Sequence, residues 1–126
     1  MGFFCDEPGA GGCINGVFKT RDDWVKSALP WSANFGERFA ARFVYDLRRH
    51  LRSLFAYADS TETARRVRED FGRFVTESFC GNFLAPLRRW CRRNNLQFMG
   101  HVNNDERLEA ALRANGDLLD LLSEMD

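Results

Sequence analysis

The chain has 126 residues and a formal net charge of zero; 44% of its residues are hydrophobic and 29% are charged. These values are typical of a single globular domain with a core of its own, and they exclude a disordered chain. The balanced charge argues against a nucleic-acid-binding protein, and the absence of an apolar run of about 18 residues argues against a membrane-spanning helix.

The first predicted element is a short buried strand, Gly2-Phe3-Phe4-Cys5, which runs directly into Asp6, Glu7 and Pro8. A glycine-rich loop comes next, over residues 8–17. Long loops in compact domains are often functional, and a carboxyl group at the mouth of a strand can serve as a general acid. The alternative is that both carboxylates are simply solvated in the loop.

Two helical regions are predicted next. The first begins at Ser32 as a possible N-cap and repeats apolar residues every three or four positions, with a break near residues 44–46. The second begins at Asp59-Ser60-Thr61, runs for some 30 residues and ends at Asn94-Asn95. Pro86 lies inside it and predicts a kink, because proline removes one helical hydrogen bond.

A second short strand is predicted over residues 96–99, closing at Gly100-His101, and the tail over 106–126 reads as two helices broken at Asn115-Gly116. Two strands separated by helices predict parallel pairing with a right-handed crossover. Parallel neighbours would place the polar residues at the end of each strand on the same edge of the sheet.

The polar cluster after the second strand contains His101, Asn103, Asn104, Asp105 and Glu106. An imidazole, two amides and two carboxylates in six residues are a candidate site. The alternative is a capped helix start, with Asn104 or Asp105 as N-cap and Glu106 in the first turn.

Trp24, Trp31 and Phe35 lie beyond the glycine-rich loop. Trp31 lies between Pro30 and Ser32, which indicates a loop or a helix entry. A loop tryptophan can stack on a sugar ring, and it can equally be a packing anchor.

Four arginines at 88, 89, 92 and 93 fall in the last turns of the long helix, where cations interact favourably with the helix dipole. We therefore predict no nucleic-acid partner. The cysteines at 5, 13, 80 and 91 do not have zinc-finger spacing and are predicted to be free thiols, which favours a reducing, cytoplasmic compartment. The alternative is that Cys5 or Cys13 touches a ligand near the acidic pair.

Several segments in order carry a resemblance to a known family: FFCDEP, LPW, FGERFAARFVYDLRRHLRSLF and VREDFGRFVTESFCGNFLAPLRRWCRRNNLQFMGHV. Together they resemble the central part of the catalytic barrel of large glycoside hydrolases of the α-L-rhamnosidase-like group. The resemblance extends from about residue 2 to about residue 120. The chain departs from the family at Val44, where a glycine is expected before Tyr45-Asp46.

The resemblance implies an α/β fold: a segment of a (β/α)₈ TIM barrel with two short parallel strands and long crossover helices. Asp-Glu-Pro would end a middle strand. Glu7 would match the general acid and Glu106 the second carboxylate, while Asp6, Trp31, His101 and Asn103 would contact the sugar. A complete barrel needs about 250 residues, so a single partial barrel segment over 1–126 is expected, and it need not be active alone.

These observations lead to two hypotheses for the function. The first is a segment of a glycoside hydrolase that binds a carbohydrate substrate; no cofactor and no metal-binding residue are predicted, and whether a metal assists is left open. The second is a non-catalytic helical interaction module whose Phe-rich helix docks on a partner. In either case we expect no membrane partner, and exposed apolar faces would favour self-association.

Overall fold

The computed structural model describes residues 1–10, 29–55, 59–103, 105–106, 108, 111 and 115–126. The elements in chain order are β1 (Gly2–Asp6), α1 (Phe35–Phe43), a 3₁₀ turn (Leu47–His50), α2 (Leu51–Phe55), α3 (Glu62–Phe79), a π-helical segment (Cys80–Leu84), α4 (Ala85–Arg93), β2 (Gln97–His101) and α5 (Leu118–Leu122). The prediction of a mixed α/β fold with two strands among long helices is confirmed at that level; the barrel stays a prediction. Most of the glycine-rich loop, with Cys13 and Trp24, lies outside the described residues. None of the described helices is long and apolar enough to cross a membrane.

The two strands form a parallel pair, as predicted. The prediction that β1 is buried is wrong, because four of its five residues are exposed. The register runs from Gly2 opposite Gln97 to Asp6 opposite His101. Within it, a Cβ atom at Gly100 would collide with the backbone carbonyl of Cys5. A glycine is therefore required for the two strands to approach this closely.

One hydrophobic cluster joins α1, the 3₁₀ turn, α2 and α3. It is built from the predicted aromatic stripe and the facing side of the long helix; its buried members are Phe35, Phe39, Leu47, Leu54, Val67, Phe71, Phe74 and Val75. Each such side chain removed from water contributes about 1.5–3 kcal/mol. This cluster fixes the helices against one another.

The two helix starts differ in how well the sequence predicts them. Thr61 is the N-cap of α3, and its hydroxyl accepts a hydrogen bond from the Ala64 amide at 3.3 Å, as its sequence pattern indicates. The N-cap prediction for Ser32 is wrong: α1 begins at Phe35, with Asn34 in the N-cap position and no side-chain cap. The backbone carbonyl of Ser32 instead accepts a hydrogen bond from the Phe35 amide at 3.0 Å, which makes a turn before the helix.

A second hydrophobic cluster lies under the sheet. Its buried members are Leu84, Cys91, Phe98, Val102 and Leu121, contributed by the π-helical segment, α4, β2 with the residue after it, and α5. The chain end is tied to α4 by ion pairs. Arg88 lies 2.9 Å from a Glu124 oxygen, and Arg92 lies 2.7 Å from an Asp126 oxygen.

The irregularity predicted at Pro86 takes the form of a wide turn just before it. The Ala85 amide donates to the carbonyl of Cys80, five residues back, and Pro86 then lies in the first turn of α4. A proline ring in a regular helix would collide with the carbonyl four residues earlier, here that of Asn82. We attribute the wide turn to this collision, and the first helical turn is where proline is tolerated.

Val44 ends α1 in a left-handed conformation, with φ of 66°, and its side chain is 90% exposed. The break predicted near 44–46 is therefore present. It occurs at the position where the family resemblance leads us to expect a glycine. A β-branched residue is poorly suited to positive φ, which for L-residues costs roughly 1–2 kcal/mol.

Replacing Val44 by Gly is expected to raise the free energy of unfolding by about 0.5–1 kcal/mol, because the relief of strain exceeds the added freedom of the unfolded chain. No buried contact is lost, since the side chain is exposed. Urea denaturation would measure the change. Val44→Ala, which keeps the Cβ atom, should gain less, and a glycine variant less stable than the alanine variant would contradict the argument.

The three cysteines in the described part of the chain, Cys5, Cys80 and Cys91, are free thiols, in agreement with the sequence prediction. Burial, with a smaller effect from the carboxylates of Glu124 and Asp120, raises the pKa of the Cys80 thiol from 9.0 to about 11. Cys80 is therefore a packed thiol with little thiolate at neutral pH.

Alkylation of Cys80 by iodoacetamide should be slow at pH 8, because the thiolate fraction is about a hundredfold below that of an ordinary cysteine. The rate should keep rising with pH until about pH 11. Mass spectrometry of the labelled peptides would measure it. The same residue in urea is the control and should level off near pH 9; a folded chain that also levels off there would refute the shift.

Candidate functional site

The carboxyl ends of β1 and β2 bring the two predicted polar clusters together. Asp6 and His101 are register partners, and His101 Nε2 lies 3.1 Å from Asp6 Oδ1. The contact results directly from the parallel pairing, which places residues that are 95 positions apart in sequence side by side. We refer to Asp6, Glu7, His101 and Asn103 as the strand-end cluster.

His101 is oriented by neighbours on several sides. Its second ring nitrogen, Nδ1, lies 3.8 Å from Asp105 Oδ2, and the ring of Phe4 meets the imidazole edge-on, with centroids 5.6 Å apart. The Asp6 side chain is 75% exposed, so its interaction with His101 contributes little to stability. The arrangement is better suited to orienting polar groups than to holding the fold together.

Glu7 is the first residue after β1 and has a positive φ of 44°. Its side chain is exposed. Positive φ is unusual for a residue other than glycine, and such outliers concentrate at functional sites. Among the described residues Val44 and Asn95 share this conformation at helix ends, whereas Glu7 has it at the end of a strand.

The loops after the two strands are bound to each other. The Asn103 amide donates to the Pro8 carbonyl at 3.3 Å, and the Asn115 side-chain amide donates to the Asn103 carbonyl at 2.6 Å. Asn115 is fully buried, and its Oδ1 has no hydrogen-bond partner among the described residues. Gly9 lies against it, where a Cβ atom would be 3.2 Å from that oxygen.

Sequence reasoning misses this role of Asn115, for which it predicts only a helix break. Gly116, the next residue, has a φ of 87°, which is not helical. The predicted helix break is therefore present just before α5 begins at Leu118. The signal that the sequence offers is the residue type, since a buried asparagine requires partners. Its partner could not be named from the sequence.

Glu106 lies in the turn after Val102, next to Asp105, and its side chain is exposed. The Asp105 amide donates to the Val102 carbonyl at 3.2 Å. Of these two carboxylates, Asp105 is the one with a described contact to the strand-end cluster, through His101. Asn104 and several residues after Glu106 lie outside the described part of the chain, and the alternative of a helix start there stays a prediction.

Trp31 belongs to a different region. Its ring packs on Phe35 with centroids 4.8 Å apart, and it is 44% exposed. It lines a cleft of about 240 Å³ together with Ala10, Pro30, Ser32, Phe35, Arg38, Val75, Ser78, Phe79 and Asn82. We call this the Trp31 cleft. No member of the strand-end cluster lines it.

The described residues contain no group of three or more His, Cys, Asp or Glu side chains that could hold a metal ion.

Comparison of the chain with protein-family models, with curated proteins and with solved structures found no match. The residues and their geometry are therefore the basis for a functional proposal.

Proposed function

We propose that this chain is a segment of the catalytic (β/α)₈ barrel of a glycoside hydrolase, of the α-L-rhamnosidase-like kind, that cleaves O-glycosidic bonds. The observation that carries the proposal is the contact of Asp6 with His101 at the carboxyl ends of two parallel strands, with Glu7 immediately beyond. In barrel enzymes the catalytic groups lie at this end of the strands.

In the proposed reaction Glu7 is the general acid. Its proton passes to the glycosidic oxygen as the bond from that oxygen to the anomeric carbon breaks, and water supplies the hydroxyl that the sugar retains. A second carboxylate, Glu106 by resemblance, activates that water or attacks the anomeric carbon directly. Asp105 competes with Glu106 for this role, because it has the described contact with His101.

The separation of the two carboxyl groups would decide the stereochemistry. About 5–5.5 Å is typical of retention and about 6.5–9.5 Å of inversion. Asp6, His101 and Asn103 would hydrogen-bond the sugar hydroxyls around this centre. The short contact between Asp6 and His101 supports a fixed orientation for both groups.

The sheet itself is consistent with a larger barrel. Parallel strands are normally covered on both faces, yet Phe3, Phe4 and Met99 are between 38% and 57% exposed. Within the described residues β1 and β2 pair only with each other. In a barrel, further strands would pair with their outer edges, while the outer helices and the packed barrel interior would cover these side chains.

The second candidate is a non-catalytic helical interaction module. The exposed side chains of Phe3, Phe4 and Met99 favour it, because they could bind a partner or a second copy of the chain. Trp90 adds to them, since it is 48% exposed and meets Phe3 edge-on at 6.4 Å. The two candidates differ in what they require of residues 2–6. A helical module does not need these residues to be paired, whereas the enzyme needs the parallel pairing that they have.

A screen of aryl glycosides, including an aryl α-L-rhamnoside, would test the proposal. It should be run on this chain and on a longer polypeptide that carries it with further barrel strands. Release of the aryl group that depends on Glu7 would support the hydrolase. No release by either polypeptide, together with concentration-dependent association in sedimentation, would favour the interaction module.

A further inference from the structure

The Trp31 cleft has the composition of a ligand site. It lies between the start of α1 and the end of α3, and combines aromatic and apolar walls with the polar side chains of Ser32, Arg38, Ser78 and Asn82. Sites for small molecules are typically apolar hollows with a few polar groups, of about 300–1,000 Å³ for drug-sized ligands. At about 240 Å³ the cleft is suited to a single ring.

A polar group in the cleft has no partner in the described part of the chain. The hydroxyl oxygen of Ser78 is buried and makes no hydrogen bond to any described residue. Buried hydroxyl groups are almost always hydrogen-bonded, to protein or to ordered water. Ser78 lines the cleft, so its hydroxyl is a polar group that a ligand or a water there can satisfy. Asn82, also on this wall, lies in the π-helical segment, and such segments occur frequently at functional sites.

Arg38 brings a positive charge to the same cleft. Its guanidinium lies 5.6 Å from the centroid of the Phe74 ring, and no described carboxylate lies within ion-pair distance of it. Arg42, one turn later on α1, is by contrast held by two hydrogen bonds to Glu77 at 3.0 and 3.1 Å. Within the described part of the chain the charge of Arg38 is therefore unpaired, and it can meet an anion in the cleft.

The Trp31 cleft and the strand-end cluster are joined by a short stretch of sequence. Ala10, which lines the cleft, is four residues after Asp6, a separation that a fully extended chain spans in about 14 Å. Pro8 and Gly9 between them contact Asn103 and Asn115. A substrate of a few linked rings could reach from one place to the other.

We propose that the Trp31 cleft binds an acidic sugar unit, a uronate, whose ring lies on Trp31 and whose carboxylate meets Arg38. The hydroxyl of Ser78 and the amide of Asn82 would hydrogen-bond the ring hydroxyls. This inference rests on the proposed glycoside hydrolase function and narrows it, because it names acidic oligosaccharides as the substrate class. Guanidinium groups bind carboxylates through charge-assisted hydrogen bonds, which gives such a site its selectivity.

The test is a calorimetric titration of the 126-residue chain with trigalacturonate and with galactotriose, its neutral counterpart. The acidic trisaccharide is expected to bind about tenfold more tightly or better, as for a hydrogen bond to a charged group. Arg38→Met should abolish that preference. Trp31→Ala should weaken both sugars about three- to tenfold, the size of one aromatic contact.

Two matched variants control for folding and for charge. Trp90→Ala removes a tryptophan of similar exposure outside the cleft, and Arg73→Met removes an exposed arginine that does not line it. Both should bind as the unchanged chain does, with the circular dichroism of all four variants compared. Arg38→Met changes no buried residue, so it remains informative if Trp31→Ala does not fold.

Binding of neither sugar overturns the inference, and so does equal binding of the two. A preference for trigalacturonate that persists in Arg38→Met also overturns it. Binding with the expected pattern in a protein that hydrolyses no glycoside would uphold the acidic-sugar site and reject the hydrolase. Hydrolysis that depends on Glu7, without this binding pattern, would support the hydrolase and reject the acidic-sugar site.

Discussion

Replacing Glu7 by Gln is expected to lower kcat/KM for glycoside hydrolysis by about 10²–10⁴-fold, the range for loss of a general acid. The amide has nearly the same shape as the carboxyl group but cannot supply the proton that the departing oxygen needs. The measurement is the rate of aryl release by a polypeptide active in the glycoside screen. The positive φ of Glu7 is retained in the variant, because the change affects only the end of the side chain.

The leaving group makes this test specific. An acid matters most when the departing oxygen is strongly basic, so the loss should be large for an alkyl glycoside and smaller for a 4-nitrophenyl glycoside. A purely structural effect of the substitution would lower both rates equally. Activity that is unaffected by Glu7→Gln would exclude Glu7 as the acid.

Asp6→Asn is the matched control, since it alters the neighbouring carboxylate. Asp6 faces His101 and is proposed to contact sugar hydroxyls, so its loss should raise KM more than it lowers kcat. Equal effects of the two substitutions on kcat, with no dependence on the leaving group, would mean that the assignment within the Asp6-Glu7 pair is wrong.

Phe71→Ala is expected to destabilise the fold by about 3–5 kcal/mol, because it empties a fully buried position in the helical cluster. Phe71 lies on α3 and contacts Phe35 of α1, with ring centroids 5.7 Å apart. Small domains are stable by only about 5–15 kcal/mol, so the variant should be close to unfolding at 25 °C. The midpoint of urea denaturation would measure the loss.

Phe83→Ala is the comparison for this core prediction. Phe83 is 39% exposed and stacks on Phe79 at 5.3 Å, so its removal should cost about 1 kcal/mol. Similar losses at both positions would mean that the described burial does not govern stability. A loss smaller than about 3 kcal/mol for Phe71→Ala, with the expected loss for Phe83→Ala, would indicate that neighbouring side chains move in to fill the cavity.

The sequence is most informative where the chemistry is local or periodic. The 3–4 spacing of Phe35, Phe39 and Phe43 on α1, and of Val67, Phe71 and Phe74 on α3, predicts the helical faces. Thr61 predicts a helix start. The parallel pairing is expected from a general rule for strands separated by helices. From that rule alone, the meeting of the Asp6 and His101 clusters at one end of the sheet could be predicted.

The sequence is least informative where a contact depends on the packed structure. The hydrogen bond from buried Asn115 to Asn103 joins positions whose proximity no periodicity indicates. The resemblance predicts Trp31 and His101 at one sugar site, yet Trp31 lines a separate cleft. Spacing along the chain does not give the distance between two loops. The left-handed conformation of Val44 contradicts the preference of its residue type, and only its place at a helix end accounts for it.

The π-helical segment between α3 and α4 sets the rotational phase of α4. One additional residue in a helical turn rotates the helix that follows by about 100° about its axis. Upstream of the segment, Phe71 and Phe74 face the helical cluster; downstream of it, Cys91 faces the cluster beneath the sheet. Deleting or adding a residue over 80–84 would therefore do more than shorten or lengthen a helix. It would turn α4 away from β2, the strand that positions His101.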